Sequence, residues 1–243
     1  MSELKRYDMI QQCIDVIKKK KGKVNYVEVG VQTGFCFFKI KADKKLAVDP
    51  SFAIRWTNWI RAYIKNSSNF NNKFFEVTSD DFFHQQKGYI NQIGGIDVVF
   101  IDGLHLYEQV LLDIKNSLGF LNKGGVILVH DCNPLTEVAA VRAYTSEEVR
   151  LMNLPGWANL WNGDVWKAVV KLRATSSDLQ ISVFNTDHGV AVITKGKPEM
   201  VFELTELQIK ELSYQDFENH RKEYLNLKDP ALFPEFVMQL NKL

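Results

Sequence analysis

Val27-Glu28-Val29-Gly30-Val31-Gln32-Thr33-Gly34 closes an apolar run and opens a turn that carries two glycines. A backbone without Cβ atoms at Gly30 and Gly34 can pass close to a ligand. The residues that follow, through Phe35, Phe37, Phe38 and Ile40, read as a helix capped by Thr33, whose first N–H groups would be unpaired. In outline this is a nucleotide-like cofactor site, and the rest of the chain has to say which cofactor.

Working outward, Leu4, Tyr7, Ile10, Ile14 and Ile17 recur at spacings of three and four and predict an amphipathic helix over 3–20. Past Gly22, residues 24–29 predict the first buried strand. Residues 45–48 predict a second, ended by Asp49-Pro50, with a helix over 54–64 behind it. Residues 74–77 predict a third strand, with Ser79-Asp80-Asp81 opening the next helix. Ile96–Ile101 and Val126–Val129 are stronger strands, separated by a helix with Val110, Leu111, Ile114, Leu118 and Leu121 on its apolar side.

Strand and helix alternating five times predict an α/β fold with a parallel sheet covered on both faces. Right-handed crossovers point every strand's carboxyl end to one edge, where ligands bind near the reversal of strand order. Beyond Pro134 the pattern changes. A helix over 136–149 leads to a Pro/Gly/Asn-rich stretch with Trp157 and Trp161, which reads as a substrate lid or a dimer contact, or as a loop anchored by its aromatics. Asp164 is expected to cap the next helix. Residues 181–184 and 190–193, joined through Asp187-His188-Gly189, predict an antiparallel hairpin at the sheet edge. The tail from Thr205 reads as helical, and its aromatics Tyr214, Phe217, Tyr224, Phe233 and Phe236 need cover, so a homodimer is expected. The whole of 1–243 is read as one domain: an N-terminal helix to residue 22, a core over 23–195 with an insertion at 135–165, and a helical tail over 196–243.

Composition narrows the partners. With 30 Lys and Arg against 29 Asp and Glu, net charge supplies no electrostatic footprint for a nucleic acid. Lys18 to Lys21 read as the solvated end of a helix. Cys13, Cys36 and Cys132 lie far apart without CxxC spacing, so neither a disulfide framework nor a zinc ribbon is indicated. No apolar stretch is long enough for a membrane span or a leader, so the expected setting is the cytoplasm, with no membrane partner.

Each strand delivers a polar residue to the same edge: Glu28 and Gly30, then Asp49, Ser79-Asp80, Asp102, and His130-Asp131. One acid at a strand end is ordinary punctuation, but acids at five successive ends exceed what turn propensity explains. A dinucleotide site would want Gly-x-Gly-x-x-Gly and a helix start against a pyrophosphate. The loop here lacks the third glycine and brings no basic residue. An acidic rim suits a cationic ligand with a ribose instead, and Asp49 stands where an acid meets ribose hydroxyls in nucleotide folds.

The run 28–34 resembles motif I of the class I S-adenosylmethionine-dependent methyltransferases, and Asp49 matches their ribose-binding acid. Phe100-Ile101-Asp102-Gly103-Leu104-His105-Leu106-Tyr107, with Lys123-Gly124-Gly125 and His130-Asp131, resembles the group sharing Asp-Gly-x-His-x-Tyr and a His-Asp pair after strand five. The resemblance covers about residues 24–133 and extends through the hairpin to 195. It implies a Rossmann-like seven-stranded, mostly parallel sheet with an antiparallel edge strand. It implies S-adenosylmethionine as cofactor, held by Glu28, Gly30, Gly34, Asp49, Ser79, Asp80 and Asp102. It also implies a small-molecule or sugar acceptor methylated on oxygen. His105 and His130 are the candidate bases, since free imidazole titrates near neutrality. Related O-methyltransferases hold magnesium with acids after strands four and five, which implies Asp102 and Asp131 as metal ligands here. The sequence departs from them in flanking Asp131 with His130 and Cys132. A nicotinamide-dependent oxidoreductase and a non-catalytic binding or assembly module are the alternatives on the same architecture.

Overall fold

A computed structural model describes residues 3–240. Five strands follow the predicted alternation: β1 (Asn25–Val29), β2 (Lys44–Val48), β3 (Asn72–Phe75), β4 (Ile96–Ile101) and β5 (Leu121–Val129). The hairpin is β6 (Leu179–Phe184) and β7 (Val190–Lys195), and a two-residue β8 (Leu227–Lys228) pairs with β6. The sheet therefore has eight strands, in the order β3-β2-β1-β4-β5-β7-β6-β8. Strands β1 to β5 run parallel, and β7 runs antiparallel to both β5 and β6. The eighth strand was illegible because two residues carry no periodicity.

Alternation along each strand divides the core in two. Val27, Val29, Val99, Ile101, Ile127 and Val129 face one layer. That layer includes α5 (Tyr107–Leu118), α7 (Trp166–Thr175) and α9 (Tyr214–Leu225). Tyr26, Val98, Phe100, Val126 and Leu128 face the other, where α1 (Arg6–Lys21) and α10 (Phe233–Leu240) lie. Phe217 and Phe233 are fully buried and Tyr224 nearly so, while Tyr214 and Phe236 are half-buried, so the chain itself supplies much of their cover.

Three local expectations fail for identifiable reasons. After Gly34 the chain makes turns, not a helix. The carbonyls that a helix would use internally are taken by buried side chains: Lys45 Nζ donates to Phe37 O (2.5 Å) and Ile40 O (2.8 Å), while Asn66 and Asn69 donate to Phe38 O. The expected helix over 136–149 is reduced to α6 (Ser146–Leu151), because Ala139 O accepts from Asn162 N and Gly163 N of the tryptophan loop. Asp164 does not cap α7. Its carboxylate accepts instead from Tyr107 N (2.7 Å), at the start of α5, and from Arg142 (2.7 Å).

Candidate active site

The backbone ladder continues past the strand ends and so sets the predicted residues side by side. Gly30 N donates to Val48 O, Asp102 N to Val29 O, and His130 N to Ile101 O. These ends floor a cleft of about 1030 Å³, whose wall includes Gly30, Asp49, Ser79, Asp80, Asp102 and His105. Gly30 is required twice over, since its φ is +84° and a Cβ there would run into the carbonyl of Asp102. At Gly34 (φ +77°) a Cβ would meet the Phe38 ring.

At the glycine-turn end, Asp49 accepts from Gln32 N (2.7 Å) and Ser51 N (2.8 Å), which ties the acid to the glycine turn. Ser79 and Asp80 start α3 (Ser79–Gln85) and join a network that sequence reasoning missed. Ser79 Oγ donates to the buried Asp113 (2.5 Å), Gln109 donates to Asp113 (3.0 Å), and Asn116 donates to Asp80 (3.1 Å). Burial lifts Asp113 to about 6, against the hydrogen bonds from Ser79 and Gln109. Its signal was the polar spacing 109, 113, 116 on one face of α5. Glu28 is buried beneath the loop, where its carboxylate accepts from the Tyr26 hydroxyl. Burial raises it to about 8, so this residue brings little negative charge to the cleft at neutral pH.

Asp102, His105, His130 and Asp131 converge at the other end. His130 Nδ1 lies 2.8 Å from Asp131 and 3.2 Å from Asp102, and His105 Nε2 lies 3.2 Å from Asp131 and 3.6 Å from Asp102. Burial alone would lower both histidines, but the two carboxylates outweigh it, raising His105 and lifting His130 to about 10. Burial would likewise raise Asp102, and the facing His130, His105 and Arg6 hold it well below the usual carboxylate range. The second nitrogens, His105 Nδ1 and His130 Nε2, are buried and have no hydrogen-bond partner among the described residues. His105 stacks on Trp161 at 4.8 Å, and Trp161 donates to Val141 O, so the tryptophan loop forms a wall of the cleft.

Three further residues reach the cluster from afar. Arg6 donates to Asp102 (2.7 Å) and to Asp187 (2.9 Å), and His188 packs 5.8 Å from His130. Asp131, Asp187 and His188 all adopt positive φ, at 59°, 45° and 66°. That backbone is costly for residues with a Cβ, and such strain concentrates at functional sites. The hairpin motif revealed Asp187 and His188 only as a turn, and Arg6 lay on a helix read for its apolar stripe.

A methyltransferase-domain family matches residues 27–132. No curated protein matches the chain in sequence. Among solved structures, the O-methyltransferase from Bacillus cereus, in complex with SAH, is 14% identical, with a TM-score of 0.50 over 76% of this chain and 80% of that one. Cofactor-bound Rv0187 from MTB is 12% identical, with a TM-score of 0.51 over 81% and 83%. At such identities the likeness is one of fold. The match over residues 27–132 is to a methyltransferase-domain family, in keeping with the class I S-adenosylmethionine-dependent methyltransferases that the sequence motifs resemble.

Proposed function

We propose that the chain transfers a methyl group from S-adenosylmethionine to an oxygen of a small molecule or sugar. The observation that carries this reading is the convergence of Asp102, His105, His130 and Asp131 on the cleft beside the glycine turn, with a carboxylate 3.2 Å from the His105 imidazole. The Bacillus cereus O-methyltransferase of similar fold is in complex with SAH. The cleft fits such a ligand, because its glycine turn opens no helix that would favour a pyrophosphate and its walls are acid-rich. The same feature disfavours the nicotinamide reading. S-adenosylmethionine supplies a sulfonium methyl with a neutral leaving group, so the protein has only to align and deprotonate the nucleophile.

In this reading the turn at Gly30 and Asp49 hold the donor, and Ser79 and Asp80 face its far end. Asp131 fixes the ring of His105, which lines the cleft and takes the acceptor's proton. His130, charged between Asp102 and Asp131, keeps the two acids from repelling one another. Asp102 and Asp131 are also the candidate ligands of a divalent cation, their oxygens and a His105 nitrogen lying within 4.8 Å of one another. Hard carboxylate oxygens suit such an ion, which would take over activation of the acceptor from His105, with Arg6 as its competitor for Asp102. A bound ion would lower the pKa of an acceptor hydroxyl.

The test is methyl transfer to a panel of phenols and sugars, followed against pH. Neutral His105 exists only above its raised pKa, so kcat/KM rises with pH along a limb above the free imidazole value. Asp131→Asn moves that limb to lower pH, and His105→Ala lowers turnover about 10²–10⁴-fold. Wild-type turnover in His105→Ala would sink the base assignment. Loss of activity in EDTA, restored by magnesium, supports the ion, and unchanged activity removes it.

A further inference from the structure

The second amphipathic helix, α2 (Trp56–Lys65), is turned the wrong way for a core element. Only Ala62 is buried, although the helix holds Trp56, Trp59, Ile60, Tyr63 and Ile64. Trp59 packs on Phe74 (4.6 Å) and Phe38 (5.4 Å), which fixes the helix to the sheet. Trp56, Ile60 and Ile64, one turn apart, stand outward at 72%, 51% and 80% exposure. Phe70, at 71% exposure, extends the ridge, its ring 5.0 Å from that of Tyr63. Four large apolar side chains on one short segment form a patch that water does not favour.

Charge tells what could cover it. From Pro50 to Phe75 the chain carries Arg55, Arg61, Lys65 and Lys73 and no acidic residue, although the whole chain is nearly balanced at 30 cations to 29 anions. Arg55, Arg61 and Lys65 are exposed beside the ridge. A second copy docking here about a two-fold axis would set cations against cations with no acid of the segment to pair them. An anionic surface matches both parts, taking the apolar ridge into its boundary layer and the cations against its charges.

We infer that α2 is a surface anchor that lays Trp56, Ile60 and Ile64 into an anionic lipid bilayer, with Arg61 and Lys65 on the headgroups. A large apolar face with Trp, flanked by Arg and Lys, is the composition of helices that lie in the membrane interface. No helix among the described residues is long and apolar enough to cross a membrane, so the contact is peripheral. The anchor adjoins the cleft: Asp49, Pro50 and Ser51 line it, and Ala53 N donates to Gln32 O of the glycine turn. The inference does not depend on which cofactor the cleft takes.

Co-sedimentation of the full chain with vesicles tests it. Binding is expected to vesicles of phosphatidylcholine containing phosphatidylglycerol, to weaken at high salt, and to be several-fold lower with phosphatidylcholine alone. Each cation near an anionic leaflet is worth about a factor of five, so Arg61→Glu with Lys65→Glu should cut binding by about ten-fold or more. Trp56→Ser, Ile60→Ser and Ile64→Ser together should abolish it and leave the far-ultraviolet circular dichroism and melting temperature unchanged. Absence of binding, or equal binding by both sets of variants and the wild type, overturns the anchor. So does a wild-type dimer that the serine variant converts to monomer, which would give the ridge to a second copy.

Discussion

Glu28 shows how position within one strand decides what a carboxylate does. It sits on β1 in the motif that predicts a cofactor contact, yet it is buried and bonded to Tyr26. Burial lifts it to about 8 from an ordinary 4.5, so the folded state binds the proton more tightly than the unfolded chain. Stability on its account is full below pH 4.5, falls as pH rises from there, and is gone past about 8. Glu28→Gln keeps an acceptor for Tyr26 and cannot titrate. In urea denaturation, wild type should lose on the order of a few kcal/mol relative to this variant between pH 5 and pH 9. Parallel pH profiles for the two proteins would show that Glu28 is ionised in the fold. The acid at this position was legible in the sequence, but its protonation was not, because that depends on the layer packed over β1.

At the scale of elements, α1 is latched to the β6–β7 turn. Asp187 accepts from both the backbone N–H and the side chain of Arg6, and Thr186 Oγ1 donates to Leu4 O (2.5 Å). Arg6 carries the latch on to Asp102, so the first turn of α1 is tied to the candidate catalytic cluster. Asp187→Ala should cost about 1–3 kcal/mol, the usual range for stranding a part-buried donor, and should speed hydrogen exchange at the Arg6 amide. Unchanged stability and exchange would show that the latch holds nothing. These partners are 181 residues apart, and no local pattern announces such a meeting. The strands were legible because their apolar runs and acid ends are local signals. The missing helix after Gly34 was not, because Lys45, Asn66 and Asn69 claim its carbonyls only once β2 and the chain after α2 have packed.

For the whole molecule, the parallel sheet gathers groups from five strand ends and one distant turn into a single cleft, and the glycine turn sets how closely the chain can approach what fills it. The edge, the acids and the histidines follow from strand alternation, so most of the candidate site could be read from the sequence. Arg6, His188 and the α5 network could not, since each enters from an element read only for its apolar face or turn propensity. The central claim is that this cleft holds S-adenosylmethionine, and calorimetric titration with S-adenosylhomocysteine tests it most directly. Saturable binding at one site per chain is expected. Gly30→Val should abolish it by driving a side chain into the Asp102 backbone, and Asp49→Ala should weaken it about ten-fold or more by removing a charged hydrogen-bond acceptor. No heat from the wild-type protein, or equal heat from all three, would contradict the assignment.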